Sequence, residues 1–197
     1  MFVAERVYVT ETFQPDPDAK AHVDNCEAEL EKKLDKVGCI CTVPLDARFS
    51  RVRTEETVIG NWISDITRIY MATDIALLNG GGLRANRVHE PGPIKLKFLA
   101  ELMPLNDKIV QVNVPGRLLI GLIENSLSLY PKYEGRFPVV SGLQFEFDPE
   151  KPPGSRVIED SFRDVYDELI DPDKIYSVAT PFFLAEGKDG FGNFKDP

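Results

Sequence analysis

The sequence predicts an α+β fold: a mixed β-sheet flanked by helices and preceded by a connector helix. Three observations lead there. Segments with apolar residues at helical 3–4 spacing alternate along the chain with short apolar runs that suit strands. In the last third, two strand-like runs flank the turn-rich "DPEKPPGSR", a hairpin pattern that favours a mixed sheet over a fully parallel one. The most charged helix comes before anything that resembles a compact core.

Taken in order, "FVAERVYV" is strand-like, and "QPDPDAKAHVDNCEAELEKKLDKVG" reads as a helix. Asp16 is its expected N-cap and Pro17 its first-turn proline; Ala19, Val23, Cys26, Leu30 and Leu34 share one face, and Gly38 closes the end. A lone strand followed by a solvated helix looks like the tail of a preceding domain and a connector, so residues 1–42 are set apart from a domain at 43–197. "CICTVPL" follows as a strand and "DARFSRVR" as a loop. In "TEETVIGNWISDITRIYM", Val58, Ile59, Trp62, Ile63, Ile66 and Ile69 form a broad apolar face and predict a buried amphipathic helix. "DIALLN" is a strand, "KLKFLAELM" a short helix, "KIVQVNV" a strand and "GRLLIGLIENSLSLY" a helix. Leu143, Phe145 and Phe147 alternate with polar neighbours as in a half-buried strand, and "KIYSVATPFFLAEGKDGFGNF" is a strand followed by a glycine-punctuated loop.

The chain has 197 residues, enough for one sizeable core. Charged residues make up 28% with both signs mixed, and no stretch approaches the roughly 18 apolar residues of a membrane span, so no membrane partner is expected. A net charge of −9 without a basic patch opposes binding to nucleic acid. The three cysteines, Cys26, Cys39 and Cys41, form no CxxC pair; buried thiols are expected, and reduced cysteines lean toward the cytoplasm. His22 and His89 are the two histidines, and neither lies in an HExxH or HxH arrangement, so no metal or other cofactor is expected in this chain.

The stretch "LLNGGGLR", residues 77–84, asks for a reason, because three adjacent glycines give up packing and lose the most conformational freedom on folding. One reading is a tight turn after a strand. The other is a ligand-facing loop whose bare N–H groups, with Arg84, approach an anionic group. Arg53 has two readings as well, a fork of donors for an anion or a partner for Glu56. Phe182 and Phe183 are either core residues or an exposed platform.

Four separated stretches, "RTEETVIGNWISD", "LLNGGGLR", "VSGLQFEFD" and "FFLAEGKDGF", resemble the carboxy-terminal domain of the 5′-nucleotidase family of metallophosphoesterases, in that family's order and spacing. The resemblance covers roughly Val43 to the end and places the charged helix where the family has its interdomain helix. It implies that a metallophosphoesterase domain precedes this one in cis, carries two divalent metal ions and performs hydrolysis, while this domain binds the nucleoside part of a small-molecule substrate. This chain alone is then expected to be inactive. By the same resemblance, Asn79 contacts the nucleoside, Gly81 belongs to the site, and Arg84 and Arg53 meet the substrate near its phosphate. Phe183 stacks on the base, and Asp189 accepts hydrogen bonds from the ribose. In "LMPLND", Leu105 stands where the family commonly has a second aromatic, which leaves a smaller or non-purine group possible. The family also includes members acting on cyclic nucleotides, nucleotide sugars and other phosphorylated or sulfur-containing compounds. A reading of another class is a stand-alone nucleoside-binding module without chemistry.

Overall fold

A computed structural model describes residues 6–8, 10 and 13–194 of the chain, with the side chain of residue 193 excepted. The strand expected at the amino terminus falls largely outside the described residues, and residues 6–8 have no regular structure. Helix α1 (Pro17–Leu34) begins as its sequence dictates: the Asp16 carboxylate accepts hydrogen bonds from the backbone N–H groups of Asp18 and Ala19. It ends at Asp35, earlier than expected, because Gly38 is taken into strand β1 (Val37–Cys41). None of its residues is buried, and of its apolar face only Leu34 is half-buried.

The rest of the chain runs β2 (Leu45–Asp46), α2 (Phe49–Val52), α3 (Val58–Met71), β3 (Ile75–Asn79), β4 (Val88–His89), β5 (Gly92–Lys95), α4 (Leu96–Leu102) and β6 (Ile109–Pro115). It continues through α5 (Gly116–Leu127), β7 (Pro138–Ser141), β8 (Leu143–Gln144), β9 (Arg163–Asp164), β10 (Ile175–Pro181) and α6 (Phe182–Ala185). The main sheet has the order β6-β10-β3-β7; β10 and β3 are parallel and the other pairs antiparallel, so it is mixed as expected. Three antiparallel pairs, β1–β5, β2–β4 and β8–β9, surround it.

Alternation along β3 divides the core. Ile75 and Leu77 join the cluster under α5, with Leu119, Leu122, Ile123, Tyr176 and Val178, while Leu78 joins Ile59, Ile63, Phe98 and Leu102 on the other face. Each fully buried aliphatic side chain contributes about 1.5–3 kcal/mol. On α3 the burial is narrower than the apolar pattern implies. Thr57 caps the helix by accepting from the Gly60 N–H, and only Ile59, Gly60, Ile63 and Ser64 are buried, while Val58, Ile66 and Ile69 stand exposed. The small residues set that orientation. A Cβ at Gly60 would sit 3.2 Å from Val139 Cγ1, and the Ser64 hydroxyl donates to the Val140 carbonyl at 2.9 Å, so the face that meets β7 is the one with least bulk.

The cysteines correct the sequence reading. All three are free, but Cys26 and Cys39 are exposed and Cys41 is half-buried, because α1 and β1 lie at the periphery of the core. Connections from α1 onto the domain are ionic: Glu31 with Lys97 at 3.3 Å, and Asp35 with Lys95. No helix among the described residues is long and apolar enough to cross a membrane.

Candidate functional site

Four segments meet at one edge of the main sheet. Because β3 and β10 are parallel neighbours, Asn79 at the end of β3 and α6 after β10 lie on the same side. β6 and β7 run antiparallel to them, so the residues before Ile109 and before Pro138 come to that edge too: Pro181 is opposite Ile109, and Asn79 is opposite Pro138. The topology thus brings to one end of the sheet the segments that carry Asn79, Gly81 and Arg84 after β3, Leu105 before β6, and Phe183 and Asp189 after β10, and Arg53 meets the first of these, its Cα 3.5 Å from where a Cβ at Gly80 would sit.

Close approach, and not left-handed backbone, explains the three glycines. Gly80–Gly82 form a 3-10 turn, and none of them has a positive φ. A Cβ at Gly80 would run into the Val52 carbonyl, and one at Gly81 would lie 2.8 Å from Gly135 Cα. Their amides are committed: Gly80 N–H donates to the Phe137 carbonyl at 2.8 Å and Gly81 N–H to the Gly135 carbonyl at 2.7 Å. The reading of these N–H groups as an anion cradle is therefore corrected for Gly80 and Gly81, because both are buried and used in holding the turn against α2 and the 133–137 segment.

The two arginines differ in support. Arg53 ends α2, a helix where a loop is expected from the sequence; its guanidinium lies 4.2 Å over the Phe49 ring and donates to the Tyr133 carbonyl at 2.9 Å. Its Nε is buried with no partner among the described residues. Glu56 does not pair with it, since that carboxylate accepts from Asn61 Nδ2 at 2.5 Å. Arg84 is exposed; its backbone N–H is fixed to the Leu102 carbonyl at 2.7 Å, while Nη1 reaches the Gly81 carbonyl only at 3.4 Å. Burial, then the charge of Arg84, holds Arg53 below the ordinary arginine range, with Glu134 opposing. Two cations within electrostatic reach, neither in an ion pair within 4.0 Å among the described residues, leave donors available for an anion.

On the segment after β10, Phe182 is 47% and Phe183 44% exposed, whereas Leu184 is fully buried, so the phenylalanines are not core. Phe183 N–H donates to Asp107 Oδ2 at 3.1 Å and Phe182 N–H to the Lys108 carbonyl at 2.7 Å. These bonds lay the turn that carries Leu105, itself 55% exposed, alongside α6. Phe137 is buried and packs near Tyr130, with ring centroids 6.2 Å apart. Asp189 is half-buried, and its carboxylate takes no hydrogen bond among the described residues; its carbonyl accepts from Asn125 Nδ2 at 3.0 Å. Phe49, Asp107 and Asn125 were not singled out from the sequence. For Phe49 a signal existed, since an aromatic four residues before an arginine suits one helical face.

Two clefts lie elsewhere on the domain. A cleft of about 1160 Å³ lies between α3, β7 and the 143–167 arm, and one of about 910 Å³ between α5 and residues 151–160. None of the seven residues lines either. Among the described residues, no group of three or more His, Cys, Asp or Glu side chains could hold a metal ion.

These features define an α+β domain that presents two cations and an exposed aromatic platform at one edge of a mixed sheet. The chain belongs to the 5′-nucleotidase family: the model for "5'-nucleotidase, C-terminal domain" matches residues 36–196. It is 33% identical over 195 residues to the trifunctional nucleotide phosphoesterase protein YfkN of Bacillus subtilis (strain 168), covering 95% of this chain and 13% of that protein. It is 29% identical over 210 residues to the 5′-nucleotidase of Homo sapiens, covering 96% of this chain and 36% of that one. Among solved structures, the 5′-nucleotidase precursor from Thermus thermophilus is similar with a TM-score of 0.78 and 30% identity, over 93% of this chain and 37% of the other. The chain therefore spans little more than a third of these relatives at most.

Proposed function

We propose that this chain is the substrate-binding domain of a 5′-nucleotidase-like hydrolase that cleaves phosphate esters, acting in cis with a metallophosphoesterase domain that holds two divalent metal ions. The observation that carries this is the convergence, at one sheet edge, of two mutually repelling guanidiniums and an exposed phenylalanine. Arg53 and Arg84 take the phosphate end of a nucleotide or related ester. Asn79 contacts the nucleoside, Phe183 stacks on the base with Leu105 across from it, and Asp189 accepts from the ribose hydroxyls. Gly81 contributes by letting the backbone of the turn lie close, its own N–H being engaged. Among the described residues no His, Cys, Asp or Glu group could hold a metal ion, so no step of hydrolysis is assigned to them. Its role is to fix the leaving group in reach of the reacting centre. The division at residues 42 and 43 belongs to the same proposal, with α1 as connector; β1, paired with β5, ties that connector to the domain that follows.

Isothermal titration with adenosine and adenosine monophosphate tests the reading. Both are expected to bind, the monophosphate more tightly by about 1.5–3 kcal/mol, the scale of hydrogen bonds to a charged group. Arg84→Gln removes most of the difference. Equal affinities for the two ligands in the unaltered chain overturn it. The chain alone is expected to release no phosphate with manganese or zinc added, and turnover that survives purification overturns that part.

A further inference from the structure

Asp189 is aimed by its backbone, and one side chain outside the site holds that backbone. The residue sits at φ 51, ψ 24, in the left-handed region, between Gly187 at φ 78 and Gly190 at φ 84. A non-glycine residue there is strained and persists only where its surroundings impose the conformation. The carboxylate makes no hydrogen bond among the described residues, so nothing at its own tip orients it. Its direction follows from the main chain alone.

Asn125, on α5, holds that main chain by one hydrogen bond and lies close against it at a second point. Its Nδ2 donates to the Asp189 carbonyl at 3.0 Å, and its Oδ1 abuts Gly190, where a Cβ would sit only 2.5 Å away. The helix beneath is fixed, with Leu122, Ile123, Ser126 and Leu127 all buried. On its far side the loop is anchored by Phe191 and Phe194, buried rings stacked at 6.1 Å. The carboxamide thus supports Asp189–Gly190 directly, ahead of the aromatic anchors.

We infer that Asn125 is a positioning residue for sugar recognition: by holding the Asp189–Gly190 peptide in its left-handed conformation, it sets the carboxylate where ribose hydroxyls are read. The inference rests on the proposed role of Asp189. It predicts that Asn125 matters only for ligands that carry those hydroxyls, a selectivity that a residue needed merely for folding does not show.

The test is a comparison of adenosine with 2′,3′-dideoxyadenosine, titrated into the unaltered chain, Asn125→Ala and Asp189→Asn, with melting temperatures recorded for each. Asn125→Ala is expected to weaken adenosine binding about 3–10-fold, the scale of one lost hydrogen bond, and to leave dideoxyadenosine unchanged. Should that variant melt too low to titrate, Asn125→Asp, which keeps the side chain's shape but replaces the donor with an acceptor facing a carbonyl, is read in its place with the same expectation. If Asp189→Asn abolishes the preference for adenosine and the Asn125 variants leave it intact, or weaken both ligands equally, the inference fails while the reading of Asp189 stands. If the unaltered chain shows no preference, or Asp189→Asn leaves it unchanged, the reading of Asp189 fails and takes the inference with it.

Discussion

Around the end of β3 the chain is packed backbone against backbone: Gly80 and Gly81 are buried, their amides are engaged, and the Arg53 guanidinium lies against Phe49 with Nε out of solvent. Around the end of β10 the side chains project outward, with Phe182, Phe183 and Leu105 each close to half exposed or more. A cation's free energy depends steeply on distance and on local dielectric, so a site for an anion gains from donors fixed in advance. An aromatic platform needs a free face, and a ring already packed in the core has none to offer. One half of the edge is therefore rigid before any ligand arrives, and the other is an open surface supported by two N–H groups of α6 that donate to the Asp107 carboxylate and the Lys108 carbonyl.

The largest expected effect breaks the rigid half. Gly80→Ala places a Cβ against the Val52 carbonyl, and backbone cannot yield as a flexible side chain can. A loss of about 3 kcal/mol in stability is expected from chemical denaturation, at the upper end for overpacking. A near-neutral result would show that the turn has slack. In the open half the balance reverses. Phe183→Ala should cost about 1–3 kcal/mol of adenosine binding and change stability by no more than about 0.5 kcal/mol. A large drop in melting temperature with unchanged binding would return Phe183 to the core and sink its assignment.

A smaller effect sharpens the contrast. Leu105→Phe adds a second ring beside the platform and should strengthen adenosine binding by about 1 kcal/mol, the scale of an added aromatic pair. Equal affinities of the two forms would mean that Leu105 does not face the ligand. The smallest effect lies at the far end of the same parallel strands. Asp74 is destabilised as a carboxylate by burial, but hydrogen bonds from the Ser177 hydroxyl and N–H at 2.7 and 2.8 Å, with Lys174 nearby, outweigh this and lower its pKa. A carboxyl group with a depressed folded pKa stabilises the protein above its unfolded pKa. That contribution fades as pH falls below about 4. Asp74→Asn should therefore flatten the acid limb of stability by less than about 1 kcal/mol, because the group is largely exposed. Adenosine affinity at neutral pH should stay unchanged, and a change there would mean that the two ends of the strands are coupled.

Much of the fold was legible because its signals are local. Asp16 capped the helix it was expected to cap, and the apolar runs at 75–79 and 109–115 became strands; the hairpin in the last third formed, but as the separate β8–β9 pair, and the main sheet is mixed through β6 and β7 instead. The two-residue strands β2 and β4 left no such trace, since each exists only through its partner some forty residues away. The 49–52 helix was hidden by its length, and the cysteines were misjudged because burial depends on what packs over a residue. Of the candidate site, the residue types and their spacing stood in the sequence. Asn125 did not, since nothing local distinguishes it from a polar residue on a helix surface.

Caps, periodicity and the order of elements were determined by the sequence itself, because each depends on residues within a few positions of one another. Which face of α3 meets the sheet, where the glycine amides are spent, and whether a phenylalanine after β10 is core or platform were decided by tertiary structure. Each depends on a carbonyl, a ring or a strand brought from far along the chain, and the energies of such contacts do not exist until the parallel pair β3–β10 has set the edge.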